Sequence, residues 1–136
     1  MEKDKICSFI KSINSAKEWD YLFFCDSDGK SIDTKKNVLA SVYSQLSLEK
    51  AYVVRYEIES WYYAGITEAE CKQMKLKDFK SSTDDLTKEE FNSKLPHLSD
   101  RSSIMIQTLE KYSLVLAVTR NESLMIFSKA IGKCSL

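Results

Sequence analysis

Apolar residues at Ile6, Phe9, Ile10 and Ile13 share one face at helical spacing, which predicts a helix over residues 3 to about 17. The rhythm then changes. Tyr21 to Cys25, YLFFC, is continuously apolar and of strand length. Such a run predicts a strand buried on both faces, as in the centre of a parallel sheet. Asp33 or Thr34 is placed to cap a second helix, which carries Val38, Ala40, Val42, Tyr43 and Leu46. AYVVRY, residues 51 to 56, is the next strand. Helix, strand, helix, strand is an α/β alternation, and its crossover favours parallel pairing.

Beyond Tyr56 the pattern is helical. EIESWYYAG continues the strand or turns into a helix that stops at Gly65. Thr67 and Glu70 have the spacing of a capping box. Residues 77–86, KDFKSSTDDL, are polar and read as a loop. LTKEEFNSKL is a short helix halted by Pro96, Asp100 caps RSSIMIQTLEKY, and Asn121 caps a helix ending at Gly132. SLVLAVTR has β propensity, but its length and neighbours suit a packed helix.

With 136 residues the chain is long enough for one domain with a real core. Residues 1–66 form its strand/helix part with the acidic motifs, and residues 67–136 are mainly helical. Only three glycines and one proline argue against a long linker or a loop-rich all-β fold. Twenty basic and twenty acidic residues cancel, which counts against binding nucleic acid by overall charge alone. No apolar run has the roughly 18 residues of a membrane span, and the charged N-terminus lacks a signal-peptide core. Cys7, Cys25, Cys71 and Cys134 form no C-x-x-C pair, so a reduced, cytoplasmic protein is expected. His97 is the sole histidine, which leaves zinc without a ligand set. It stands beside Pro96 in a loop and reads as a surface residue.

Chemistry concentrates in two acidic stretches. YLFFC runs into Asp26, Ser27, Asp28 and Gly29. Open α/β sheets place ligands at the carboxyl ends of strands, where Asp26 and Asp28 fall. Alternate residues of an extended chain point the same way, so both carboxylates can face one hard cation such as Mg²⁺. The same residue types also make an ordinary acidic turn. The second pair, Glu57 and Glu59, follows the other strand. They share a face if the chain is extended there and diverge if it is helical. A solvated helix start explains them equally well.

Rival motifs fit less well. An EF-hand loop with Gly29 at its sixth position would put Phe24 first and Lys35 twelfth, neither a calcium ligand. Haloacid-dehalogenase-type phosphatases also end a strand in Asp-x-Asp-Gly, but Lys30 stands where they carry a threonine or similar residue. KSSTDD is too crowded to supply their later motifs. No G-x-S-x-G or glycine-rich phosphate loop is present.

YLFFCDSDGK followed by AYVVRYEIESWYYAG resembles the TOPRIM domain. More narrowly, it is similar to small TOPRIM-like defence proteins related to the overcoming-lysogenisation-defect nucleases. The resemblance covers roughly residues 20–66. It implies a compact α/β fold and Mg²⁺- or Mn²⁺-dependent phosphodiester cleavage, with nucleic acid as substrate. By position it assigns Asp26 and Asp28 to the metal. It assigns Glu57 or Glu59 to orienting the site, completing the metal shell or acting as general base. Lys30, Lys35 and Lys36 are assigned to a phosphate. TOPRIM domains open with a strand ending in a catalytic glutamate. Here 25 residues precede Asp26 and read as one helix, and Glu2 is too near the start to end a buried strand. The expectation is therefore an incomplete site, either inactive or completed by a neighbouring chain or subdomain.

The fold expected is a small, mostly parallel sheet of two to four strands, TOPRIM-like, flanked by helices, with a helical C-terminal half. An open sheet edge invites dimerisation, through that edge or through helices. The function expected is a TOPRIM-like divalent-metal nuclease or a degenerate, inactive relative. The alternative is a non-catalytic protein-interaction module of a defence or mobile-element system.

Overall fold

A computed structural model describes residues 3–132. Glu2 and Cys134, both weighed above, lie outside the described residues. Within them the fold is mixed α/β and rich in helix, with a single two-stranded parallel sheet. Helix α1 (Lys3–Ser15) leads to β1 (Phe23–Asp26), α2 (Ile32–Val42) and β2 (Ala51–Val54). Then come α3 (Ile58–Ala64), α4 (Glu68–Gln73), α5 (Lys88–Lys94), α6 (Arg101–Glu110), α7 (Leu114–Arg120) and α8 (Glu122–Ala130). No helix among the described residues is long and apolar enough to cross a membrane.

The strands pair in parallel, Phe23 opposite Ala51 and Asp26 opposite Val54. This register brings the end of YLFFCD level with the end of AYVV. Side chains alternate across the sheet. Phe23 and Cys25 pack with Ile10, Leu39, Leu46 and Tyr43 under α1 and α2. Phe24 faces the other way and meets the rings of Tyr52, Trp61 and Phe127. The expectation that YLFFC is buried on both faces is corrected here. Leu22, just before β1, and Phe24 within it remain 52% and 42% exposed, because one face of this segment is only partly covered. An unbroken apolar run is equally compatible with one buried face and one partly covered face, and periodicity alone cannot separate them. β2 is the more deeply covered strand, with Ala51, Val53 and Val54 buried.

Helix α3 is the pivot of the rest, packing on α5, α6 and α7. Tyr63 enters a cluster with Ile66, Cys71, Leu86, Phe91 and Ile104. Its neighbour Ala64 enters a second one with Ala117, Val118 and Leu124. The helix stops at Gly65, where any Cβ would overlap the Tyr112 ring at 2.2 Å. That ring is fixed, because its hydroxyl donates to the Trp61 carbonyl at 2.7 Å.

Local chemistry sets most helix starts as expected. Thr67 and Glu70 form the reciprocal capping box, and the side chains of Asp100 and Asn121 accept from the backbone three residues on. SLVLAVTR is helical, capped by Ser113. The start of α2 is corrected: its cap is Ser31, whose hydroxyl accepts from Thr34 N–H, and Asp33 sits in the first turn. All three residue types suit an N-cap, so type alone could not choose among them.

Candidate functional site

The acidic stretch turns sharply at the end of β1. Ser27 is fully buried and anchors the turn: its N–H reaches the Val54 and Tyr56 carbonyls, and its hydroxyl donates to Tyr56 at 3.1 Å. Asp28 and Gly29 then take left-handed conformations, φ 51° and 76°. Glycine is favoured at the second of these. A Cβ there would stand 2.5 Å from the Tyr56 hydroxyl. So Asp26 ends the strand, while Asp28 has already turned outward and is largely exposed.

Asp26 lies over the junction of β2 with α3. The Ile58 N–H donates to its carboxylate, and burial together with the nearby Glu57 charge holds its proton affinity above the usual carboxylate range. Burial is the larger cause, and Asp28 adds a smaller contribution in the same direction. Asp26 and Glu57 therefore form a half-buried pair of like charges at the end of β1 and the start of α3, offset in part by Lys35.

Asp28, Glu57 and Glu59 each have a partner within the protein. Asp28 is paired with Lys35, from the first turns of α2. The Lys35 ammonium holds its own proton more tightly than usual, chiefly through its hydrogen bond to Asp28. Glu57 is the N-cap residue of α3, and its side chain accepts the Lys88 N–H at the start of α5. Glu59 is buried within α3 and bonded to Arg101 of α6. The two glutamates thus diverge, as the helical alternative required, and the structure brings Glu57 but not Glu59 to Asp26. Lys30 is exposed on the turn. Lys36 points elsewhere, into a small crevice with Tyr52, Ser123 and Ile126. His97 is exposed, as expected.

Among the described residues no group of three or more His, Cys, Asp or Glu side chains is arranged to hold a metal ion. Asp26 and Glu57 nevertheless suit Mg²⁺ or Mn²⁺ by donor chemistry. Both are hard oxygen donors, and Mg²⁺ is commonly anchored by one or two carboxylates, with water and phosphate filling the rest. Each carboxylate has about four lone-pair sites, so one backbone N–H leaves capacity for a cation.

Behind this edge lies a polar hub that the sequence reading did not single out. Arg120 is buried and donates Nη1 to the carbonyls of Tyr63, Ala64 and Ile66 at 3.0, 3.0 and 2.6 Å. Its other nitrogens reach Lys80 and Ser81. Asn121 donates to the Arg55 carbonyl at 2.7 Å and accepts from Ser123 Oγ at 2.7 Å. Ser123 in turn accepts from Arg55 N–H and Trp61 Nε1, both at 2.9 Å. These bonds fix the β2–α3 junction on which Glu57 and Ile58 sit. The available signal was TRNES, a polar break between two apolar helices. Comparison with protein-family models, curated proteins and solved structures finds no match to this chain.

Proposed function

We propose that the chain is a TOPRIM-like, divalent-metal-dependent phosphodiester hydrolase or a degenerate relative of one, with its acidic edge at Asp26, Asp28 and Glu57. One observation carries this reading. Asp26 ends β1 opposite the last residue of β2, and Glu57, three residues beyond β2 at the start of α3, lies near enough to raise the proton affinity of Asp26. Carboxylates set against one another in a partly dry site favour binding a cation, and such tension is a mark of functional sites.

The residues divide the work. Asp26 and Glu57 would hold the cation, with Ile58 N–H orienting the Asp26 carboxylate. Lys30, exposed beside them, would meet a phosphate. When bound, a divalent ion supplies Lewis-acid charge that activates water and offsets charge on phosphate oxygens. Glu59 is directed to Arg101 and would support α3 rather than touch substrate.

The test is Mn²⁺ titration calorimetry on the wild type and on Asp26→Ala/Asp28→Ala, followed by cleavage assays on DNA and RNA. Binding by the wild type that disappears in the double variant supports the reading. A silent wild type removes it and leaves the second reading, a non-catalytic interaction module. That alternative is favoured by a specific feature: Asp28 and Glu59 are already neutralised by Lys35 and Arg101.

A further inference from the structure

We propose that two copies of this chain pair along β1, antiparallel across a two-fold axis, and so close the apolar hollow between α1 and β1. The proposal does not depend on the metal reading of the acidic edge.

β1 has a free side. Its one strand partner is β2, and among the described residues no backbone–backbone hydrogen bond ties Phe23, Phe24 or Cys25 to anything else. Alternate residues of a strand turn N–H and C=O away from a given partner, so β1 presents main-chain donors and acceptors on its second side. A hollow of about 540 Å³ lies there, walled by Ile6, Phe9 and Ile10 of α1 and by residues 21–24. Four consecutive residues reach it, so it borders the edge of the strand and not one face alone. Native sheets usually guard such an edge with a lysine or a proline. YLFFC carries neither.

Area, charge and closure select a second copy as the occupant. Phe9, Trp19, Leu22 and Phe24 are 62, 72, 52 and 42% exposed. At about 150–250 Å² for a side chain of this size, they leave roughly 350–550 Å² of apolar surface uncovered. A patch of that size ordinarily marks an interaction site. It is over half of the ~600 Å² per partner at which specific interfaces begin, and the strand edge with Ile6 and Tyr21 adjoins it. A two-fold axis uses the patch twice, setting Phe9 and Leu22 of each copy against the hollow of the other. Twenty basic and twenty acidic residues cancel, so no net charge holds the copies apart. Pairing also closes on itself. The outer strands of the joined sheet are the two β2 strands, each packed under α2 and α8, whose Ile32, Lys36, Ser123 and Ile126 border residues 51–53. A third copy finds no such open edge, so the product is a dimer and not a fibre.

The experiment is sedimentation equilibrium of the full chain in reducing buffer, from about 1 to 200 µM, the range suited to an interface of small area. It compares the wild type with Leu22→Lys, Phe9→Glu and, as a control on the exposed face of α7, Val115→Lys. Thermal unfolding checks that each variant folds, and either β1-side variant suffices if the other does not. The wild type should dimerise with a micromolar Kd. Leu22→Lys and Phe9→Glu should each weaken association by about a hundredfold or more, because every replaced side chain occurs twice in a two-fold interface. Val115→Lys should match the wild type. Hydrogen exchange at residues 23–25 should slow as the wild-type concentration rises. A wild type still monomeric at about 200 µM overturns the proposal, whether or not the hollow takes a peptide of another protein. So does a dimer indifferent to Leu22→Lys and Phe9→Glu, or one weakened as much by Val115→Lys. A dimer sensitive to both variants whose β1 amides gain no protection overturns the strand pairing.

Discussion

Replacing Arg120 tests how the site is supported. Its guanidinium is 5% exposed and faces five main-chain carbonyls from two segments, residues 63–66 and 80–81. It also lies over the rings of Tyr63 and Phe79, at 5.3 and 4.6 Å from their centroids. Arg120→Met keeps much of the stem volume but leaves those carbonyls without donors. A hydrogen bond to a charged group contributes about 1.5–3 kcal/mol, but the five are not additive and the cation itself is costly to bury. The net loss expected is about 3–5 kcal/mol, the usual range for breaking one side of a buried charged network. Domains of this kind are stable by only about 5–15 kcal/mol, so much of the total is at stake. With a urea slope near ~2 kcal/mol per molar, the unfolding midpoint falls by about 1.5–2.5 M. Arg120→Lys should lose roughly half as much, because one ammonium with three donors cannot span both segments. Equilibrium urea unfolding followed by tryptophan fluorescence measures both. A loss below about 1 kcal/mol in Arg120→Met, typical of a surface change, would refute the argument that Arg120 clamps α3 to the 80–81 loop.

Other outcomes follow from the same geometry. Asp26→Asn should raise the melting temperature at pH 7. Because the folded-state pKa of Asp26 is raised, the folded carboxylate costs stability once pH passes the unfolded value, and fully so above the folded one. Below the unfolded value the group is protonated in both states, so the gain should vanish near pH 3; calorimetric melts at the two pH values check this. Gly29→Ala should destabilise by about 1–2 kcal/mol, since it combines a left-handed backbone with a clash at the Tyr56 hydroxyl. The same variant should weaken any Mn²⁺ binding, read by titration calorimetry. Arg101→Ala should destabilise by about 2–4 kcal/mol by stranding the buried Glu59, discounted for the partial exposure of Arg101. Adding Glu59→Gln should recover part of that loss in the same urea titration. Full loss of any nuclease activity in Glu59→Gln, with stability unchanged, would contradict the supporting role given to Glu59.

Much of the architecture was legible along the chain because it rests on local rules. Period-3.6 spacing marked α1, and Thr67, Asp100 and Asn121 announced helix starts, because a side-chain oxygen can satisfy the backbone three residues on wherever the helix lies. The apolar runs before Asp26 and at AYVV gave two strands, and the helix between them implied parallel pairing. The DSDG stretch left open a sharp acidic turn or two carboxylates facing one cation, and only the structure shows that the backbone turns at Asp28 and Gly29.

Tertiary structure decided what depends on partners far away in sequence. YLFFC does not state whether its second face is covered; α2 and α8 pack on β2, while Leu22 and Phe24 are left partly exposed. Glu57 and Glu59 carry the same charge two residues apart. One reaches Asp26 because it caps α3 beside the strand end, and the other is drawn to Arg101, 42 residues on. Lys35 and Lys36 are neighbours of identical type, separated only by the roughly 100° turn of a helix, which sends one to Asp28 and the other to the wall of a crevice it shares with Tyr52 and Ile126. The Arg120 hub reaches carbonyls 39 to 57 residues away, so its partners bear no sequence mark. A pattern along the chain records what each residue can do; which charge it meets is fixed only when the chain closes on itself.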